Sequence, residues 1–165
     1  MNITLIGMPG AGKSTFGKIF AKRYRMNFID VDKVIEKKIG MKLQEFIDKF
    51  GDKKFSEIEE KTILELGNVK NTVISPGGSA VYSPPAIEFL RKQSFIVFIS
   101  RRFEYLNNRL KNRSIRGIIG LKNKTLKELF YERDILYKKY ADITITPKNF
   151  NARFLNDFSK ILLSL

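Results

Sequence analysis

Hydrophobic and polar positions alternate between two periods along the chain. Asn2–Ile6 reads as a short apolar strand, followed by a glycine-rich turn and a helix from about Ser14 to Tyr24. Asn27–Ile29 reads as a second strand. Helical spacing then covers Val34–Ile39, Leu43–Phe50 and about Asp52–Leu66. Thr72–Ser75 is a third strand candidate, ended by Pro76-Gly77-Gly78, and Pro84-Pro85 opens a helix to Lys92, since proline suits a first helical turn. Phe95–Ile99 is an apolar strand with β-branched content, and Phe103–Asn112 is helical. After a basic segment, Arg113 to Lys124, Thr125 with Glu128 three residues on reads as a capping box opening a helix to about Tyr140. Asp142–Ile145 and an amphipathic Phe150–Leu163 complete the pattern. Five strands alternating with helices predict an α/β fold, a parallel sheet covered by helices on both faces.

Composition narrows the class. With 165 residues, 43% of them apolar and including 14 Phe and 6 Tyr, the chain suits one domain, residues 1–165, with a sizeable core. There is no internal repeat or low-complexity linker. Cys and His are both absent. That excludes a disulfide scaffold, a thiol nucleophile, a Cys-ligated zinc site and every imidazole base or ligand. Catalysis is left to carboxylates, Lys, Arg, hydroxyls and backbone amides.

The formal charge of +14 has three readings: a lysine-rich solvated surface, an anionic small-molecule ligand, or nucleic acid or a membrane surface. Scattered lysines such as Lys33, Lys37, Lys38, Lys42 and Lys49 fit the first, and no nucleic-acid-binding signature stands out, so nucleic acid is not the expected partner. Apolar runs reach only five residues, as in Phe95–Ile99, where a membrane span needs about 20. The N-terminal MNITLIGMPGAGK lacks a basic region before a short apolar stretch, which does not read as a signal peptide. The expectation is a cytoplasmic protein, monomeric and not membrane-bound.

The strongest chemical signal is Gly7-Met8-Pro9-Gly10-Ala11-Gly12-Lys13-Ser14, a match to G-x-x-x-x-G-K-[ST] between a predicted strand and a predicted helix, followed by Thr15. Its glycines let successive N–H groups curl around a phosphate, and the helix N-terminus adds a favourable partial charge. Lys13 can reach the β- and γ-phosphates and Ser14 can ligate Mg²⁺. The alternative is a tight turn that is merely glycine-rich.

Asp30 and Asp32 lie at the end of the second strand, where ligands of open parallel sheets bind. Two residues apart on extended backbone, their carboxylates point the same way. One could hold water on Mg²⁺ and the other accept a proton from a substrate hydroxyl; alternatively Asp32 caps the next helix. Pro76-Gly77-Gly78-Ser79 allows close backbone approach to a ligand, or is an ordinary turn. Arg113 and Arg116 sit in the basic segment, expected as a cationic lid over about residues 112–124, or else as a solvated loop. Arg109 and Arg133 are the other notable cations.

Together, the P-loop, Asp-x-Asp, the GG loop, the basic lid and Glu132-Arg133-Asp134-Ile135-Leu136-Tyr137…Ala141-Asp142 resemble the shikimate kinase family over essentially the whole length. The resemblance implies a nucleoside-monophosphate-kinase-like, three-layer fold with a five-stranded parallel sheet in order 2-3-1-4-5, and acceptor-binding helices over about residues 33–66. It implies transfer of the ATP γ-phosphate to the 3-hydroxyl of shikimate, in aromatic amino acid biosynthesis. Gly10, Ala11, Gly12, Lys13, Ser14 and Thr15 would bind the nucleotide, with Arg109 against adenine and Lys148, in Thr146-Pro147-Lys148, nearby. Ser14 and Asp30 would serve Mg²⁺, Asp30 through water. Asp32 would bind the substrate hydroxyls and act as base, Gly77 and Gly78 would lie against the ring, Arg133 would pair with the substrate carboxylate, and Arg116 would contact the phosphates.

The chain departs from the family pattern. Ser56 stands where a substrate-binding Arg is expected, in Gly51-Asp52-Lys53-Lys54-Phe55-Ser56-Glu57. A hydroxyl cannot replace a guanidinium fork matched to a carboxylate. Ser79 replaces a third glycine, and the lid reads Arg116-Gly117-Ile118-Ile119 in place of Arg-Pro-Leu-Leu. Two other functions therefore stand beside shikimate phosphorylation: a P-loop kinase for another hydroxylated metabolite or nucleotide, and an ATP-binding protein of this kind without shikimate turnover.

Overall fold

The structure, a computed structural model, describes residues 1–111 and 118–163. Five strands, β1 (Ile3–Ile6), β2 (Asn27–Asp30), β3 (Thr72–Ser75), β4 (Phe95–Ile99) and β5 (Ile143–Ile145), form one sheet in the order β2-β3-β1-β4-β5. Every pairing is parallel. The helices are α1 (Lys13–Arg23), α2 (Val31–Ile39), α3 (Leu43–Leu64), α4 (Pro84–Gln93), α5 (Phe103–Lys111), α6 (Leu126–Tyr140) and α7 (Ala152–Leu163), with a single 3-10 turn at Ala80–Tyr82. Both the expected fold class and the strand order are found.

Burial follows strand position. The inner strands β1 and β3 are buried at all four positions, whereas the edge strand β2 is exposed or half-buried throughout. This is the pattern of a parallel sheet covered on both faces. α1 lies against β1, β2 and β3, while α4 and α6 cover β4. One wall of the core is aromatic: Phe16 and Phe20 of α1 meet Phe154 and Phe158 of α7 with ring centroids 5.3–5.9 Å apart.

Local signals decide the helix ends. Thr125 and Glu128 form the expected reciprocal capping box at α6. Ser83 caps α4 ahead of its two prolines. The two expected helices at Leu43–Phe50 and Asp52–Leu66 are found as the two arms of α3, interrupted at Gly51, whose backbone is not helical (φ 83°, ψ 169°), the second arm ending at Leu64. α2 starts at Val31, before its apolar spacing begins, so Asp30 and not Asp32 is the cap, accepting from the Lys33 amide at 3.4 Å. α7 starts at Ala152 rather than Phe150, because Asn151 accepts the Phe154 amide at 2.9 Å and sets the cap there. The expected end of α5 at Asn112 lies outside the described residues. Among the described residues, no helix is long and apolar enough to cross a membrane.

The parallel topology delivers the carboxyl ends of β1, β2 and β3 to one side. The P-loop, Asp30–Asp32 and Pro76–Ser79 follow those three ends and are brought together.

Candidate active site

The loop between β1 and α1 is held by backbone geometry that glycine permits. Gly12 caps α1 in the left-handed region (φ 100°), and a Cβ there would meet the Phe150 ring at 2.8 Å. Lys13 begins α1, is buried, and donates from Nζ to the carbonyls of Gly7 (2.8 Å) and Met8 (3.2 Å). Burial pushes its ammonium down to about 8, against the raising pull of Asp32.

One cleft collects much of the expected set. It is lined by Gly10, Gly12, Lys13, Ser14, Thr15, Asp32 and Arg109, with Pro9, Ser75 and Pro76. Thus the phosphate loop and the carboxylate expected to act as base face the same space. Ala11 is fully buried behind the loop. Asp32 lies in the first turn of α2, and desolvation in the cleft raises its carboxyl to about 6 despite nearby Lys13. The strand-alternation argument for Asp30 and Asp32 does not hold, because the chain turns helical at Val31. Asp30 ends β2 and serves as the helix cap.

Behind this cleft lies a second polar layer. Gly77 and Gly78 are buried in the loop after β3. A Cβ on Gly77 would stand 2.3 Å from Oε1 of Glu59 and 2.9 Å from Oδ1 of Asp32, so only glycine lets both carboxylates reach this backbone. Glu59, on α3, is 2% exposed and accepts from the Ser79 hydroxyl at 2.7 Å. Its Oε1 is buried and has no hydrogen-bond partner among the described residues. Burial raises the Glu59 carboxyl to about 7, opposed by the Ser79 hydrogen bond. Arg133, on α6, is 1% exposed; it donates to the Ile119 carbonyl (2.7 Å) and the Tyr82 hydroxyl (3.3 Å), and lies beside Gly78.

Sequence reasoning missed several of these groups. Glu59 is one of many charged residues on α3. It lies, however, on the stripe of Phe55, Thr62 and Ile63, all buried, and that spacing was the available signal. Tyr137, named in the sequence only within the motif that carries the resemblance and given no role there, donates to the Gly78 carbonyl at 2.7 Å. Arg101, just beyond β4, was also missed. Its Nε donates to the Ala11 carbonyl at 3.3 Å, its Nη1 donates to the Pro147 carbonyl, and its guanidinium lies 4.8 Å from the Tyr105 ring centroid and 5.2 Å from that of Phe150.

Arg109 lies at the cleft, whereas the other expected groups lie apart from it or outside the described residues. Arg109 donates to the Tyr105 hydroxyl at 3.1 Å, and its Nε is buried without a partner among the described residues. Lys148 is exposed and is not one of the residues lining the cleft. Arg113, Arg116 and Gly117 fall outside the described residues, so the first half of the expected lid does too. The far end is anchored: the Gly120 amide donates to Asp52 at 2.8 Å, and Ile119 is held by Arg133. Ser56 is half-buried on α3, and neither neighbouring lysine substitutes for the expected guanidinium, since both are exposed and Lys54 pairs with Glu57 at 3.0 Å.

The donor set near the P-loop suits Mg²⁺. No group of three or more acidic side chains able to hold a metal by itself occurs among the described residues. Mg²⁺ commonly takes one or two protein oxygens and completes its shell with phosphates and water. The Ser14 hydroxyl lines the cleft and Asp30, which does not, is near enough for its charge to act on Lys13; one hydroxyl there, with Asp30 reached through water, is compatible with that demand.

Comparison with known proteins agrees with this geometry. The family model described as shikimate kinase matches residues 9–163. The shikimate kinase of Caldanaerobacter subterraneus subsp. tengcongensis is 36% identical over 146 residues, covering 87% of this chain and 85% of that protein. The Thermodesulfovibrio yellowstonii enzyme is 34% identical over 167 residues, covering 97% and 96%. The Acinetobacter baumannii shikimate kinase, solved in complex with shikimate, superposes with a TM-score of 0.86 at 31% identity, covering 99% of this chain and 93% of that one. The Aquifex aeolicus structure gives 0.80 at 31% identity, covering 99% and 95%. Matched by that family model over nearly its whole length and by relatives more than 30% identical, the chain belongs to the shikimate kinase family.

Proposed function

We propose that this protein transfers the γ-phosphate of ATP to the 3-hydroxyl of shikimate, yielding shikimate 3-phosphate and ADP. The observation that carries the reading is the shared cleft of Lys13 and Asp32, in a chain of this family. The P-loop amides bind the phosphate chain, and Lys13 leaves its carbonyl partners to follow charge on the transferring phosphoryl group. Asp32 accepts the proton of the attacking hydroxyl, and a carboxyl raised to about 6 is a stronger base than an exposed aspartate while still ionised near neutrality. The hydroxyl oxygen forms the new bond to γ-phosphorus as the bond to the ADP oxygen breaks. Ser14 and Asp30 would hold Mg²⁺, Asp30 through water. When bound, the ion neutralises charge on the β- and γ-phosphates.

On the acceptor side, Gly77 and Gly78 lie against the ring and Arg133 pairs with the substrate carboxylate. Arg109 and Lys148 border adenine, and Arg116, outside the described residues, is the cation assigned to the phosphates. The protein works as a cytoplasmic monomer. Incubation with MgATP and a panel of hydroxylated acceptors, following ADP, tests the reading. Shikimate-dependent ADP release is expected, and release only with another acceptor overturns the assignment. Ser56, with no cation in place of the expected guanidinium, favours one second reading: an acceptor of the same shape whose anion sits elsewhere.

A further inference from the structure

We propose that Ser79 is a positioning residue of the acceptor site, its hydroxyl holding the Glu59 carboxylate in the orientation that presents Oε1 to the acceptor beside Asp32. The proposal deepens the acceptor assignment above and rests on it for the identity of the acceptor only.

Two departures from the family pattern, Ser56 and Ser79, fall on the same buried carboxylate. Ser56 precedes Glu59 by three residues on α3, the spacing at which helical side chains meet. An Arg at position 56 would therefore stand within reach of Glu59 and supply both charge and donors. Ser56 supplies no charge. A buried carboxylate left without donors is costly, so it must be satisfied from elsewhere. The donor in this chain comes from the loop after β3: Ser79 Oγ to Glu59 Oε2, 2.7 Å, with Ser79 itself 8% exposed. Glycine at this position offers no hydroxyl.

That bond occupies only one carboxylate oxygen. Oε1 is buried, lacks a partner among the described residues, and packs against Gly77, as Oδ1 of Asp32 does, while Asp32 also lines the cleft. An acceptor hydroxyl held at Asp32 in the cleft would have this unsatisfied carboxylate oxygen directly behind it. The charged groups facing Glu59 are Asp32 from α2, Lys13 from α1 and Arg133 from α6, and the Ser79 hydroxyl faces it from the loop after β3. Of these only Ser79 donates a hydrogen bond to it.

The test uses Ser79→Ala and Ser79→Gly, alone and combined with Glu59→Gln, and Ser79→Ala combined with Ser56→Arg. Loss of a hydrogen bond to a charged group predicts an acceptor KM raised about 10-fold, with the KM for ATP unchanged. In the Glu59→Gln background the same substitution should change acceptor KM by less than about 2-fold, and Ser56→Arg should reverse most of the loss. Carboxyl-selective ¹³C NMR gives a readout that needs no acceptor: the Glu59 titration should move upward in Ser79→Ala. Equal KM effects with and without Glu59, or an unmoved Glu59 titration, overturns the proposal. If the parent protein releases no ADP with shikimate, the acceptor reading fails, while the NMR titration still decides the hold of Ser79 on Glu59.

Discussion

The phenolic hydroxyl of Tyr137 donates to the carbonyl of Gly78 across 2.7 Å, tying the last turns of α6 to the buried loop after β3. Tyr137 is fully buried and stands one helical turn beyond Arg133, so one helix fixes both the loop and the cation beside it. Tyr137→Phe should cost about 1–2 kcal/mol, since it leaves a buried carbonyl short of a donor. Urea unfolding measures this, and an unchanged midpoint would show that the bond contributes nothing.

Lys13→Ala should abolish phosphoryl transfer while leaving the fold intact. The ammonium donates to the carbonyls of Gly7 and Met8, so its removal also costs the loop two hydrogen bonds, while the Ala11 amide still donates to Met8. Single-turnover ADP formation with the variant checks this, together with a circular dichroism spectrum matching the parent. Near-normal turnover would displace Lys13 from the proposed chemistry.

Asp32→Asn should lower kcat far more than ATP affinity. Asp32 lines the cleft from α2, across from the phosphate loop rather than within it. An amide of the same shape cannot accept the proton, and the general-base contribution is typically about 10²–10⁴-fold. Steady-state kinetics paired with calorimetry of nucleotide binding separates the two quantities. Parallel losses in both would contradict a base role.

Stability should respond to pH through Glu59. Its carboxyl titrates at about 7 in the folded protein against an ordinary value of 4.5, burial being the main cause. A raised carboxyl pKa means that the folded state holds its proton longer than the unfolded chain does. The associated stability is therefore present below about 4.5 and declines as pH rises through 7. Comparing Tm of the parent with Glu59→Gln from pH 5 to about 8 isolates the group, and the gap between them should widen in favour of the variant as pH rises. A constant gap would remove Glu59 as its source.

The nucleotide half was legible in the sequence because a P-loop is a local device. Its glycines, Lys13 and Ser14 are consecutive, and the strand and helix around them follow from short apolar runs. Strand order followed from the family resemblance, not from periodicity. The acceptor half depends on long-range approach. Glu59 acquires its meaning only when α3 brings it under Gly77, 18 positions later, and one buried Glu among exposed ones leaves only a faint periodic trace. The reading of Asp30 and Asp32 as strand neighbours failed at a boundary of one residue, where helix capping at Asp30 outweighed strand continuation. Arg101 was invisible for a similar reason: its four contacts come from the P-loop, α5 and the stretch after β5.

That shared guanidinium has an evolutionary corollary. Ala11 and Pro147 lie 136 positions apart, yet both carbonyls are pinned by the same side chain, and the rings of Tyr105 and Phe150 flank it. Drift in one of these segments cannot be absorbed locally. Homologues that lose the arginine should show correlated replacement at the positions of Tyr105 and Phe150, a signature that any sufficiently deep set of related sequences would display.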